Sequence, residues 1–128
     1  MAVAANIDNF SENSNHHTDG PIDWEHLSKY TLGNKDVEKE VLELFARQSS
    51  QFVEKLRNAS DAQAWKEAAH TIKGSARGIG AWRVATKAES LEMLGDHAVG
   101  AARDAAIAGL EQNLQEVLSC INETMSAE

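Results

Sequence analysis

At 128 residues and 42% hydrophobic, the chain is long enough to bury one sizeable core and is ordinarily one domain. Its formal net charge of -8 disfavours a nucleic-acid surface, since phosphate binding calls for a concentrated basic patch that an acidic body must build against its own field. No apolar stretch is long enough to span a bilayer, and neither a signal peptide nor a repeated unit is visible, so cytoplasmic residence is the default.

Residues 1–20 are polar and without lasting periodicity, and read as a flexible tail; His16 and His17 lack companion ligands and stay bland. After Pro21, the only proline, Asp23 is placed to cap a short helix to about Thr31 whose Trp24, Leu27 and Tyr30 can pack on a larger body, with His26 on its surface. Gly33-Asn34 makes a turn, and Asp36 opens a long helix to about Asn58. Its expected stripe is Val37, Val41, Phe45, Gln48, Phe52 and Leu56, supplemented by Leu44. Ser60 with Gln63 fits a capping box for the next helix, and Asp61 suits that helix's positive end. Trp65, Ala69, Ile72, Ala76 and Ile79 form its apolar stripe, and Gly78 and Gly80 stop it.

From Ala81 to Leu94 a further helix gathers Ala81, Val84, Ala85, Ala88 and Leu91 on one arc, small enough to let a neighbouring helix approach closely; Trp82 falls at an edge. Gly95 and Gly100 bracket a connection containing His97. The last helix, about Ala101 to Glu123, turns Ile107, Leu110, Leu114, Val117 and Ile121 inward, and Cys120 reads as a plain core or half-buried thiol. Short links imply antiparallel neighbours. The predicted fold is all-α: an antiparallel four-helix bundle with a short additional N-terminal helix, over residues 21–124.

The chemistry narrows to His70. With Trp65 set to zero, helical geometry points His70 to about 140°, Lys73 to about 80°, Lys66 to about 100°, Arg77 to about 120° and Gly74 to about 180°. One imidazole thus stands on the wet face, bordered by three cations and a residue without a side chain. Between Ser60 and Ser90 the charge is net +2 against -10 elsewhere, which suits one phosphoryl group or one acidic partner face. No Walker-type loop or kinase machinery occurs. Residue by residue, His70 is equally readable as an ordinary surface histidine; a general base lacks a pocket, with Glu67 the only neighbouring carboxylate, and a metal lacks ligands. As a nucleophile it needs a free ring nitrogen, charge compensation from Lys73, Lys66 and Arg77, and the open approach that Gly74 gives.

Ala69-His70-Thr71-Ile72-Lys73-Gly74-Ser75-Ala76, followed by Ile79-Gly80-Ala81, resembles the signature of histidine phosphotransfer domains, and with Phe45 and Leu91-Glu92 the likeness extends over about residues 21–123. The resemblance implies that His70 is phosphorylated, that Lys73 is its electrostatic neighbour and that Gly74 leaves space for docking. It further implies a covalent phosphocarrier without autokinase activity, exchanging phosphoryl groups with receiver domains of response regulators or hybrid sensor kinases. On that reading the chain carries no cofactor of its own and Mg²⁺ is supplied by the partner receiver; a small cytoplasmic monomer is expected, with a piece of a larger kinase as the other possibility. Lys66 and Arg77 complete the docking surface from the helical wheel alone. The alternative is a helical interaction protein that binds an acidic partner without covalent chemistry.

Overall fold

The computed structural model describes residues 20–95 and 99–127, and among these it contains helices and no strand. The tail histidines, His97 and nearly all of the expected tail lie outside the described residues. A short α1 (Trp24–Tyr30) precedes four long helices: α2 (Lys35–Asn58), α3 (Ala62–Ile79), α4 (Trp82–Leu94) and α5 (Gly100–Ala127). Packing runs α2 on α3, α3 on α4, α4 on α5 and α5 back on α2, with α1 laid against α3. The connections are short, so consecutive helices are antiparallel neighbours around one core.

The helix starts are set by side chains. Asp23 accepts the His26 N–H (3.1 Å) to cap α1, and Asn34 accepts the Val37 N–H (3.1 Å) to begin α2 one residue earlier than expected. At α3 the cap is Asp61, whose Oδ1 accepts the Ala64 N–H at 2.8 Å, in place of the expected Ser60–Gln63 box. Gln63 reaches forward to Glu67 instead (2.8 Å). Gly80 ends α3 in the left-handed region (φ 75°), while Gly78 stays inside the helix. The last helix runs to Ala127, four residues beyond the expected end.

The buried face of α2 differs from the expected stripe. Glu38, Leu42, Phe45, Ser49, Phe52 and Leu56 point inward, whereas Val37 and Leu44 are exposed and Val41 and Gln48 half-buried. The observed set repeats every 3.5 residues, the period that keeps a helix seam facing its neighbours in a bundle, and the expected set drifted by using longer steps. Two polar residues are thereby buried. Glu38 accepts from the Thr31 hydroxyl (3.2 Å) and lies 3.4 Å from Lys35 Nζ, and the Ser49 hydroxyl donates to the Ala46 carbonyl (2.8 Å).

Trp65 is the largest fully buried side chain; its Nε1–H donates to the Leu91 carbonyl (2.6 Å), and the Arg103 guanidinium lies 5.0 Å from its ring centre. Arg103 also donates to the carbonyls of Leu56, Arg57 and Ala59 (2.7, 2.8 and 3.0 Å), satisfying the end of α2 from α5. Trp82 is fastened to α1: its Nε1–H donates to Asp23 Oδ2 (2.9 Å), and its ring meets that of His26 edge-on. The Asp23 N–H donates to the Gly80 carbonyl (2.9 Å), so a Cβ at Gly80 would lie 2.8 Å from the Asp23 oxygen.

Gly80→Ala is therefore expected to cost about 2 kcal/mol or more, from a left-handed backbone and a backbone clash together. Gly78→Ala, in open space within the helix, is expected to be neutral or stabilising by up to about 1 kcal/mol. Urea unfolding of the pair checks the contrast; equal stabilities would contradict the assignment of Gly80 as the obligatory glycine.

Candidate functional site

Helix α3 turns Trp65, Ala69, Ile72 and Ala76 into the core, which leaves His70 outward with a side chain 70% exposed. Ala69 and Ala76 on α3, with Ala85 and Ala88 on α4, are all buried and small, and this pair of helices makes the most extensive contact in the bundle. Close approach brings Glu92 of α4 to the imidazole. Glu92 Oε2 lies 3.2 Å from His70 Nδ1, and Oε1 accepts from Lys73 Nζ at 2.6 Å.

Glu92 is held below its ordinary value of 4.5, first by the hydrogen bond from Lys73, against an opposing desolvation, and then by the Lys73 charge and the hydrogen bond and charge of His70. It is a carboxylate at neutral pH, and a carboxylate only accepts. In the neutral imidazole this contact places the proton on Nδ1 and leaves the lone pair on Nε2.

Lys73 was expected as an exposed cation and is instead 14% exposed, its ammonium fixed by Glu92. Arg77 lies on the exposed face two turns beyond His70. Lys66 is exposed one turn before it, with Cε over Gly95 at the end of α4, 3.3 Å from where a Cβ would stand. Gly74 is exposed, and a Cβ there would meet nothing within 4 Å. Beside it a shallow hollow of about 160 Å³ is lined by Tyr30, Val41, Leu44, Gln48, Gly74 and Gly78 among others. Three of the residues displaced from the expected α2 stripe, Val41, Leu44 and Gln48, thus line a groove one turn from His70.

Sequence reasoning placed Glu67 as the only carboxylate near the imidazole. In the structure Glu67 accepts from Gln63, and the carboxylate at the ring is Glu92, 22 residues away on the next helix. Its position became readable only through the α3–α4 register. No group of three or more potential metal ligands occurs among the described residues, and no described helix is long and apolar enough to cross a membrane. Burial pushes the Cys120 thiol up, with the Glu123 charge adding to it, which suits the inert reading of that residue.

The site is therefore an exposed imidazole backed by a shared carboxylate and a tethered lysine, carried on a four-helix bundle. The Hpt domain family model matches residues 40–123, and the chain belongs to that family, whose function is histidine-based phosphorelay. The fold is similar to that of histidine-containing phosphotransfer protein B (HptB) of Pseudomonas aeruginosa PAO1, with a TM-score of 0.76 at 22% identity over 87% of this chain and 99% of that one. It is also similar to histidine phosphotransferase ShpA of Caulobacter crescentus, with a TM-score of 0.65 at 28% identity over 84% of this chain and 93% of that one. No curated protein matches the sequence.

The Lys73–Glu92 pair carries a pH signature. Because the folded-state value of Glu92 is lowered, the pair is complete above the ordinary carboxylate range and is lost as pH falls through that lowered value. Carbon-13 NMR of the Glu92 carboxyl is expected to show a midpoint below 4.5 that returns toward 4.5 in Lys73→Met. An unchanged midpoint would remove Lys73 as the main cause.

Proposed function

We propose that the protein is a phosphorelay intermediate in which His70 accepts a phosphoryl group from the aspartate of one receiver domain and passes it, reversibly, to the aspartate of another. It is a covalent phosphocarrier, with no ATP-dependent autokinase step. The observation that carries the reading is Glu92 bridging His70 Nδ1 and Lys73 Nζ.

In the forward step the Nε2 lone pair forms the N–P bond as the P–O bond to the receiver aspartate breaks, and that aspartate leaves as a carboxylate with the bonding electrons. The ring becomes a phosphoimidazolium, whose positive charge Glu92 offsets through the Nδ1–H it already holds. The same proton stays on Nδ1 throughout, so no proton has to be moved, and the cationic ring remains a good leaving group for the return step. Lys73 lies where its ammonium can turn from Glu92 toward the phosphoryl oxygens. The partner receiver supplies the acidic residues and Mg²⁺.

Docking uses the open side of α3. Gly74 and Gly78 leave room, and the apolar groove with Tyr30, Val41 and Leu44 receives the partner's surface, with Arg77 and Lys66 as flanking cations for the acidic rim of a receiver. Receivers of response regulators and of hybrid sensor kinases both fit this description.

Incubation with a panel of phosphorylated receiver domains is expected to place acid-labile, base-stable phosphate on His70 and none on His70→Gln. No labelling across a broad panel by a folded protein would sink the relay and favour non-covalent partner binding. Lys73→Ala is expected to slow transfer about 10-fold or more while leaving the bundle folded. Gly74→Leu should keep its helix and lose docking, seen as a raised KM at unchanged circular dichroism; unchanged KM would free Gly74 of that role.

A further inference from the structure

The groove lies on the α2 side of His70; the α4 side also presents an unpartnered apolar residue. Met93 follows Glu92 directly and is 80% exposed, the second most exposed large hydrophobic after Leu32 among the described residues. It shares the outer face of α4 with Glu89, one turn earlier and also exposed. Met93 is close to the chemistry. Adding the reach of a glutamate side chain and one Cα step to the 3.2 Å His70–Glu92 contact puts its Cα within roughly 12 Å of the imidazole. A stable docking patch covers about 800 Å² of each partner, a disc of about 16 Å radius, so a receiver centred on His70 covers Met93 as well as the groove.

We infer that Met93 is a second docking contact, bracketing His70 from α4, and that it takes an apolar side chain of the receiver flanked by a lysine or arginine that meets Glu89. This rests on the relay reading above. A flexible thioether is suited to the task, because it adapts to apolar surfaces of different shape and so to more than one receiver. The two contacts flank the imidazole on both sides, which fixes the tilt of the incoming aspartate as well as its distance.

The test uses the full chain, the fastest receiver donor found in the panel, and phosphoramidate as a small donor that needs no docking surface. Met93→Glu is expected to raise KM for the receiver about 10-fold, with kcat and labelling by phosphoramidate unchanged. Glu89→Arg is expected to raise the same KM, more at low salt than at high. An unchanged KM in Met93→Glu overturns the inference, and so does a matching loss with phosphoramidate, which would place the effect on Glu92 geometry. Failure of the relay reading itself appears differently, as a wild-type protein that no receiver phosphorylates.

Discussion

The arrangement at His70 depends on one buried hydrogen bond, from the Trp65 indole to the Leu91 carbonyl at 2.6 Å. A fully buried indole without a partner would leave its N–H unsatisfied, so the bond favours the α4 register that brings the Leu91 carbonyl to it. Leu91 precedes Glu92, and Trp65 lies just over one turn before His70, so fixing the first pair fixes the second. A slide of α4 by one turn along α3, about 5.4 Å, would take Glu92 out of reach of the imidazole. Arg103 holds the other face of the same ring and closes the end of α2, tying three helices to one side chain.

That register has an electrostatic consequence. The exposed imidazole and the largely covered lysine share one carboxylate, so the Lys73 charge is offset by Glu92 on a basic stretch of an acidic protein. On the proposed reading the arrival of a phosphoryl group breaks that balance. Lys73 then has two anions within reach, while Glu92 keeps its claim on the Nδ1 proton of a cationic ring. The bundle itself need not move, because the change is met by one lysine side chain anchored on a rigid helix.

Most of the bundle could be read from the chain, because its helices are punctuated by strong signals: Asp23 as a cap, Gly80 as a stop, and continuous stripes in α3, α4 and α5, while the caps at Asn34 and Asp61 each fall one or two residues from where the pattern put the helix start. The α2 face could be read only in part: Phe45, Phe52 and Leu56 were expected, but Val37, Val41 and Leu44 are as apolar as Leu42 and the true seam passes through Glu38 and Ser49. Hydrophobicity alone cannot choose between two overlapping stripes when one of them includes polar residues satisfied by neighbours. At the site, His70, Lys73 and Gly74 were legible because they share one helix and obey its period. Glu92 was not, because its approach depends on two helices and on an interaction, Trp65 with Leu91, that no local pattern announces.

The misread stripe and the missed carboxylate have a common origin, and it bears on how the surface around His70 is built. A core-directed residue is set by its own helix, whereas a residue at an interhelical boundary is set by how two helices meet. On the α2 side that boundary turns Val41 and Leu44 out beside Gly74 and Gly78, where apolar side chains line open space. On the α4 side it turns Glu92 in toward the ring and leaves Met93 out. Both departures from simple amphipathic patterning therefore flank the same imidazole. Exposing those apolar groups forgoes burial in the core, at about 25 cal/mol for each Å² left in water, and a partner covering them would recover it.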